Sequence, residues 1–323
     1  MQKSFFVRSW LNTAMLASAV AVFSSCDNST TTTKSSDTAT SGEVHITSDE
    51  SFMPIVKAEI EAFMGTYQYA KIIPHYESEG EAMKRILADS ARMAFISRPL
   101  NDAEKQYFEK MKITPRITKI AVDAVSIIVN RENKDSLFTI EQVGEIMHGR
   151  AKTWKEISAK NTQEKIVVVF DKSNSSNLTF MRKYYKLPDS LQTNIFAANS
   201  NKEVVEYVAK TPNAIGVIGV NWISDSDDPK HLSFRREIRV AAIADTSAPQ
   251  SIDDYYLPYQ AYIASGKYPY CRNIYAVSRE ARMGLGNGFI AFAASDPGQR
   301  IVLKAGLLPA IAPVRIVNFG KRD

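Results

Sequence analysis

From residue 44 onward the chain alternates short apolar strand patterns with longer runs of helical period, and that alternation restricts it to an α/β architecture. Val44 and Ile46 alternate in a first short strand. Residues 54–64 read as a helix, with Val56, Ile60 and Phe63 on one face and Pro54 near the start. Residues 71–76 form the next strand, with Pro74 at an edge or bend. Met83, Ile86 and Leu87 share a helical face, and residues 93–96 make a short buried strand. Residues 118–130 are longer and rich in β-branched side chains, which suits a strand passing between two lobes. Beyond it, residues 139–148 are helical and Trp154 begins another short element. Residues 166–170 form a buried strand that runs into Ser173–Asn177 and a helix carrying Leu178, Met181 and Tyr185. Residues 214–220 are a Gly-punctuated strand, and 225–229 a loop. The last third reads as an aromatic, strand-like stretch at 255–275, a helical run at 288–305 and a closing strand at 315–317.

The segment before this alternation has a different character. Lys3 and Arg8 precede a mostly apolar stretch, residues 10–23, too short for a comfortable membrane span. The stretch ends at Phe23-Ser24-Ser25-Cys26, which resembles the lipobox of bacterial lipoproteins, where the cysteine is acylated. Residues 27–42 are almost entirely small and polar, unable to bury a core, and read as a flexible tether. The expected division is a signal peptide at 1–25 and a lipidated tether at 26–42 anchored through Cys26. With Cys26 lipidated, Cys271 stands alone, so no intrachain disulfide is expected. The core must hold the fold unaided, and a chain that is 45% hydrophobic and 23% charged permits it. The net charge of +5, falling to +3 without Lys3 and Arg8, has no dense basic run, so a nucleic-acid partner is not expected.

A recurring unit carries the functional reading. A Ser- or Gly-rich turn follows a strand and opens a helix at residues 48–52, 78–80 and 173–177. A helix start offers unpaired N–H groups and a partial positive charge, and serine hydroxyls add neutral donors. Three such turns meeting in a cleft can satisfy most lone pairs of a tetrahedral oxyanion. Each turn taken singly is equally explained as an N-cap.

Longer stretches give a resemblance. Residues 289–299 and 304–309, the run Tyr268-Pro269-Tyr270-Cys271-Arg272-Asn273-Ile274-Tyr275, the strand at 214–219 and Met147-His148-Gly149-Arg150 with Trp154 are together similar to the phosphate-binding proteins of bacterial phosphate ABC transporters. The likeness spans roughly residues 44–317. It implies a two-lobed periplasmic-binding-protein fold of type II, the Venus flytrap, with a mixed sheet in each lobe. The expected lobes are 43–127 with 250–323, and 128–249. It further implies a monomer that captures inorganic phosphate outside the cytoplasm and delivers it to an ABC permease, with no cofactor and no catalytic or metal site.

Family binding positions fall on Ser51 and Phe52 in the first loop, Ser78 in the second, and Ser175, Ser176 and Asn177 in the third. Two charged positions depart from the pattern. Where the family has an acid after a serine, this chain has Ser97-Arg98; where the family has an arginine, it has Asp171. One reading is an ion pair across the cleft with reversed polarity, Arg98 supplying a forked donor. The other is a register shift of a residue or two that leaves Arg98 in a surface salt bridge.

Weaker signals add little. Gly284, Gly286 and Gly288 precede a helix without a clear βα unit and read as a loop, not a dinucleotide site. His45, His75, His148 and His231 stand singly in the sequence without metal-ligand spacing. Tyr255, Tyr256, Tyr259 and Tyr262 suit a cleft lining or simple packing. No nucleophile is paired with a base, which disfavours a hydrolase. Alternatives to phosphate capture are another oxyanion or small acidic solute in the same fold, or a non-transport surface interaction lipoprotein.

Overall fold

The computed structural model describes residues 37–311 except 163–164, 191–193 and 225–228. The signal peptide, the Cys26 anchor and the strand expected at 315–317 lie outside the described residues. Strand β1 (Gly42–Asp49) lies between β2 (Ala70–Glu77) and β3 (Met93–Ile96), parallel to both. The crossovers are helices α1 (Met53–Thr66) and α2 (Glu79–Leu87). A short 3-10 turn, Glu50–Phe52, carries β1 into α1. Val56, Ile60 and Phe63 face the core, as their spacing predicts. Each such burial contributes roughly 1.5–3 kcal/mol. Helix α3 (Asp102–Lys110) starts with a capping box in which Asn101 and Glu104 bond each other's backbone.

The 15-residue strand β4 (Arg116–Asn130) joins the two halves of the sheet. Residues 116–124 pair antiparallel with β11 (Cys271–Ser278) and 125–129 antiparallel with β8 (Ala214–Gly219). Beyond β8 lie β6 (Val167–Phe170) and β7 (Ile195–Ala197), both in parallel pairing. The order β2-β1-β3-β11-β4-β8-β6-β7 is mixed on each side of β4, with β9 (Ile238–Val240) and β12 (Leu308–Pro309) also paired to it. Strands β5 (Leu137–Thr139) and β10 (Ala242–Ala244) form a separate parallel pair. The second half carries helices α4 (Ile140–Met147), α5 (Trp154–Ile157), α6 (Ser176–Tyr185), α7 (Asn201–Lys210) and α8 (Pro229–Glu237). Helices α9 (Gln260–Ala264), α10 (Leu285–Ala293) and α11 (Asp296–Lys304) complete the chain. Among the described residues no helix is long and apolar enough to cross a membrane.

Three stretches differ from their sequence patterns. The aromatic run at 255–275 is mostly not strand: it holds α9, and only Cys271 onward joins the sheet. Its tyrosines pack on one another, with Tyr256 and Tyr262 tilted at centroids 4.9 Å apart, and Gln260 fastens α9 to the carbonyls of Leu303 and Leu307. The helical run at 288–305 is two helices, because Pro297 lacks an N–H and stands in the first turn of α11. Residues 37–41, polar enough to read as tether, are docked: the Asp37 carboxylate accepts from Leu285 N at 2.7 Å and pairs with Arg282. Cys271 is a free thiol, and burial pushes its pKa up to about 12.

Candidate functional site

The carboxyl end of β1 enters the interior as a run of buried polar residues, Thr47 to Ser51. Such a run is stable only if each group finds a partner. Asp49 caps the turn that follows it, accepting from Ser51 N at 2.8 Å. The same carboxylate accepts from Ser176 N at 3.1 Å and from Ser176 Oγ at 2.9 Å, at the first turn of α6. A carboxylate there meets the positive end of the helix. Ser51 Oγ donates to Asp171 Oδ2 at 3.2 Å, while Ser175 Oγ donates to Asp171 Oδ1 at 2.5 Å. Ser175 is also the N-cap of α6.

Asn201 closes the ring from the start of α7. Its amide donates to Glu50 Oε2 at 2.6 Å and to Asp171 Oδ2 at 3.2 Å, and its carbonyl oxygen accepts from Asn177 Nδ2 at 3.0 Å. The Ser51 carbonyl accepts from Asn221 Nδ2 at 2.7 Å and from Trp222 Nε1 at 3.1 Å. Beneath them β11 supplies Arg272, buried over the Phe52 ring at 4.8 Å. Its Nε donates to Asp123 Oδ2 at 2.9 Å and its Nη1 to Ser176 Oγ at 2.9 Å. Gly219 must stay small here: a Cβ would stand 3.2 Å from the Ser51 carbonyl and 3.3 Å from Arg272 Nη2.

Of the positions carried over from the family resemblance, Ser51, Asp171, Ser175, Ser176 and Asn177 thus meet at one buried point, with Phe52 under the arginine. Ser97 and Arg98 belong to an adjoining cluster. Glu79 accepts from Ser97 N at 2.6 Å and Ser97 Oγ at 2.5 Å, and pairs with Arg98 Nε at 3.1 Å. Arg98 also forks onto Glu104, both bonds 2.8 Å. Arg98 and Asp171 are therefore not a reversed ion pair; each is satisfied within its own cluster. Ser78 is buried as the N-cap of α2, without a side-chain bond to that helix. The first turn of α2 approaches the third loop, since a Cβ on Gly80 would lie 3.2 Å from Asn174 Nδ2.

Electrostatics set this site apart. Asp49, Glu50, Asp123 and Asp171 are all buried in this network, and the Arg272 guanidinium pairs with Asp123. Burial, with Asp49 close by, pushes Asp171 up to about 6. Burial pushes Glu50 up to about 7, against the donation it receives from Asn201. Glu79 is raised by burial and by Asp49, and Asp123 by burial despite Arg272. Near neutrality such a site holds protons that it can share with a ligand, and its hydroxyls and α6 amides can donate to an oxyanion.

Sequence reasoning missed Asp49, Glu50, Glu79, Asp123, Asn201 and Arg272. Asp49, Glu50 and Glu79 lie inside turns already singled out for their serines, and Arg272 inside a family landmark. Asp123 was visible as an acid within an apolar strand, and Asn201 at a strand-turn-helix junction of the same kind. Elsewhere, parallel pairing of β1 and β2 brings His45 Nδ1 within 3.0 Å of His75 Nε2, though the two stand 30 residues apart. No cluster of three metal-ligating side chains occurs among the described residues. The three glycines at 284–288 open α10, whose free amides are already taken by Asp37 and by Glu280, the latter 2.8 Å from Asn287 N.

Residues 33–297 match the family described as PBP superfamily domain. The chain belongs to the PBP superfamily. Within it the relatives are PstS-like. A phosphate-binding protein PstS of Staphylococcus aureus (strain USA300) is 28% identical over 199 residues, covering 61% of this chain. The match spans 60% of that relative's own length. A Clostridium perfringens structure solved with bound phosphate superposes with a TM-score of 0.70 at 22% identity, covering 83% of this chain and all of the other. An ABC-type phosphate transport receptor from Vibrio cholerae gives 0.61 at 18% identity, again over 83% of this chain and all of that one. The two-lobed type II fold of this superfamily is the architecture described above, with β4 common to both halves of the sheet.

Proposed function

We propose that the protein captures inorganic phosphate outside the cytoplasm and passes it to an ABC permease, as a monomeric binding protein held at a membrane by acylated Cys26. Lobes 43–127 with 250–323, and 128–249, close on the ion, stabilised by the contacts it makes to both. Ser51, Ser175, Ser176 and Asn177 with Arg272 donate to it; Asp171 accepts a proton from it. Phe52, Ser78 and Ser97 shape the wall, and Arg98 holds Glu79 in place. The observation carrying this reading is that Ser51, Asp171 and Ser176, from distant parts of the sequence, meet beside one guanidinium at the start of α6. The names of the PstS-like relatives agree with it.

Phosphate suits a carboxyl-rich site because near neutrality it still carries a hydroxyl that can donate to Asp171. Calorimetry with phosphate, sulfate and molybdate tests this. Phosphate should bind saturably, one per chain, and sulfate far more weakly. Saturating phosphate at about 100 times its Kd should add roughly 2.7 kcal/mol of stability. Absence of heat with every anion would remove the transport reading. A second reading keeps the fold and changes the solute: the excess of buried carboxyls equally fits another protonated oxyanion or small acid, and tighter binding of one of these than of phosphate would favour it.

A further inference from the structure

A cavity of about 610 Å³ lies away from the site just described, between β9, the segment after β8 and the stretch leading into α9. Part of its wall is apolar: Ile223, Ile238, Val240, Leu257 and Pro258 line it, and Tyr259 stands at it half exposed. Arg131, Arg235 and Arg239 also line it, and no acidic residue does among the described residues. Two of the three arginines brace the backbone. Arg131 Nη1 donates to the Arg236 carbonyl at 2.6 Å, and Arg239 donates to the Asn133 and Arg131 carbonyls at 3.3 Å. None of the three pairs with a carboxylate among the described residues, and each guanidinium has five N–H groups, so donors remain.

We propose that this cavity binds a small amphipathic anion, a carboxylate or phosphate monoester carrying an apolar body. The volume falls within the range of small-molecule sites and far exceeds what a bare oxyanion fills. Three guanidiniums beside a greasy wall match a ligand with one charged end and one apolar end. Guanidinium is the cation best suited to fork onto either head group. A neutral apolar ligand would leave the arginines unused, and inorganic phosphate would leave the wall bare. Tyr259, from the tyrosine run noted in the sequence, gives the ligand an aromatic face.

Calorimetry on the whole protein tests it with four probes below their aggregation concentrations: octyl phosphate, octanoate, octanol and inorganic phosphate. Octyl phosphate and octanoate should each bind once in a manner that saturating inorganic phosphate does not displace, and octanol at least about tenfold more weakly. Arg235→Gln removes a side chain that makes no internal bond among the described residues, so folding should be intact. It should weaken both anions about tenfold while leaving inorganic phosphate binding unchanged. Arg235→Gln combined with Arg239→Gln should weaken them further. Equal binding of octanol and octanoate, unchanged affinity in both variants, complete displacement by inorganic phosphate, or no saturable binding would each overturn the proposal.

Discussion

Glu59 lies buried on the inner face of α1, and neither carboxyl oxygen has a hydrogen-bond partner among the described residues. Burial alone pushes its pKa up to about 9. The folded value lies above the unfolded one, so the native carboxyl stays protonated while the unfolded chain ionises. Stability is then fullest below the unfolded pKa and falls as pH rises, by about 1.4 kcal/mol per unit, until the folded pKa is reached. Glu59→Gln should therefore resemble the parent near about pH 4 and exceed it by a few kcal/mol near about pH 8 in urea melts. Parallel pH profiles for the two proteins would refute the assignment. Arg272 presents the opposite case, a buried cation matched to Asp123. Arg272→Gln leaves that carboxylate uncompensated and should cost about 3–5 kcal/mol of stability. Arg272→Lys should keep part of the stability yet weaken phosphate about tenfold or more, since it loses the fork that reaches both Asp123 and Ser176. Arg98 marks where comparison with a family misled. Its partner is Glu104, six residues on and already fixed by the α3 capping box, and a local partner held in place prevails over Asp171, distant in sequence.

At the scale of elements, periodicity located most strands and helices, because the sheet buries β-branched runs and α1 buries one stripe. The failures share a cause: side-chain contacts from outside the segment decided them. Asp37 was invisible as structure because its partners, Arg282 and Leu285 N, come about 245 residues later. That docking makes Gly288 a sensitive position on α10. A Cβ there would lie 1.9 Å from the Ala39 carbonyl oxygen and 2.7 Å from Ala39 Cα, both backbone atoms that cannot swing aside. Gly288→Val should push residues 37–41 off α10, at a cost of about 1–3 kcal/mol. Hydrogen exchange at Leu285 N should then accelerate, and a protease should cut near Ser41 in the variant but not in the parent. Full protection in both would show that the segment stays docked despite the added side chain.

For the whole molecule, the sequence offered donors and the fold added acceptors. Serines in strand-turn-helix junctions were legible one by one. That two of the junctions would bring Asp49 and Asp171 onto Ser51 follows only from β1 and β6 running towards each other, so that both end beside the middle of β4. This makes ligand binding a proton-linked event. Beside Asp171, burial pushes Glu50 up to about 7. As pH rises through that value Glu50 gains a negative charge beside the donors, and an incoming anion meets growing repulsion; an anion that binds favours the protonated Glu50. Phosphate affinity should therefore fall from about pH 5 to about pH 8, with net proton uptake on binding in that window. Glu50→Gln removes that step. Because the ion's own ionisation is common to both proteins, the ratio of parent to variant Kd isolates the carboxyl, and it should rise with pH. Calorimetry in two buffers of different ionisation enthalpy counts the protons directly. A ratio independent of pH, with equal proton uptake in parent and variant, would place the titrating group elsewhere than at the turn between β1 and α1.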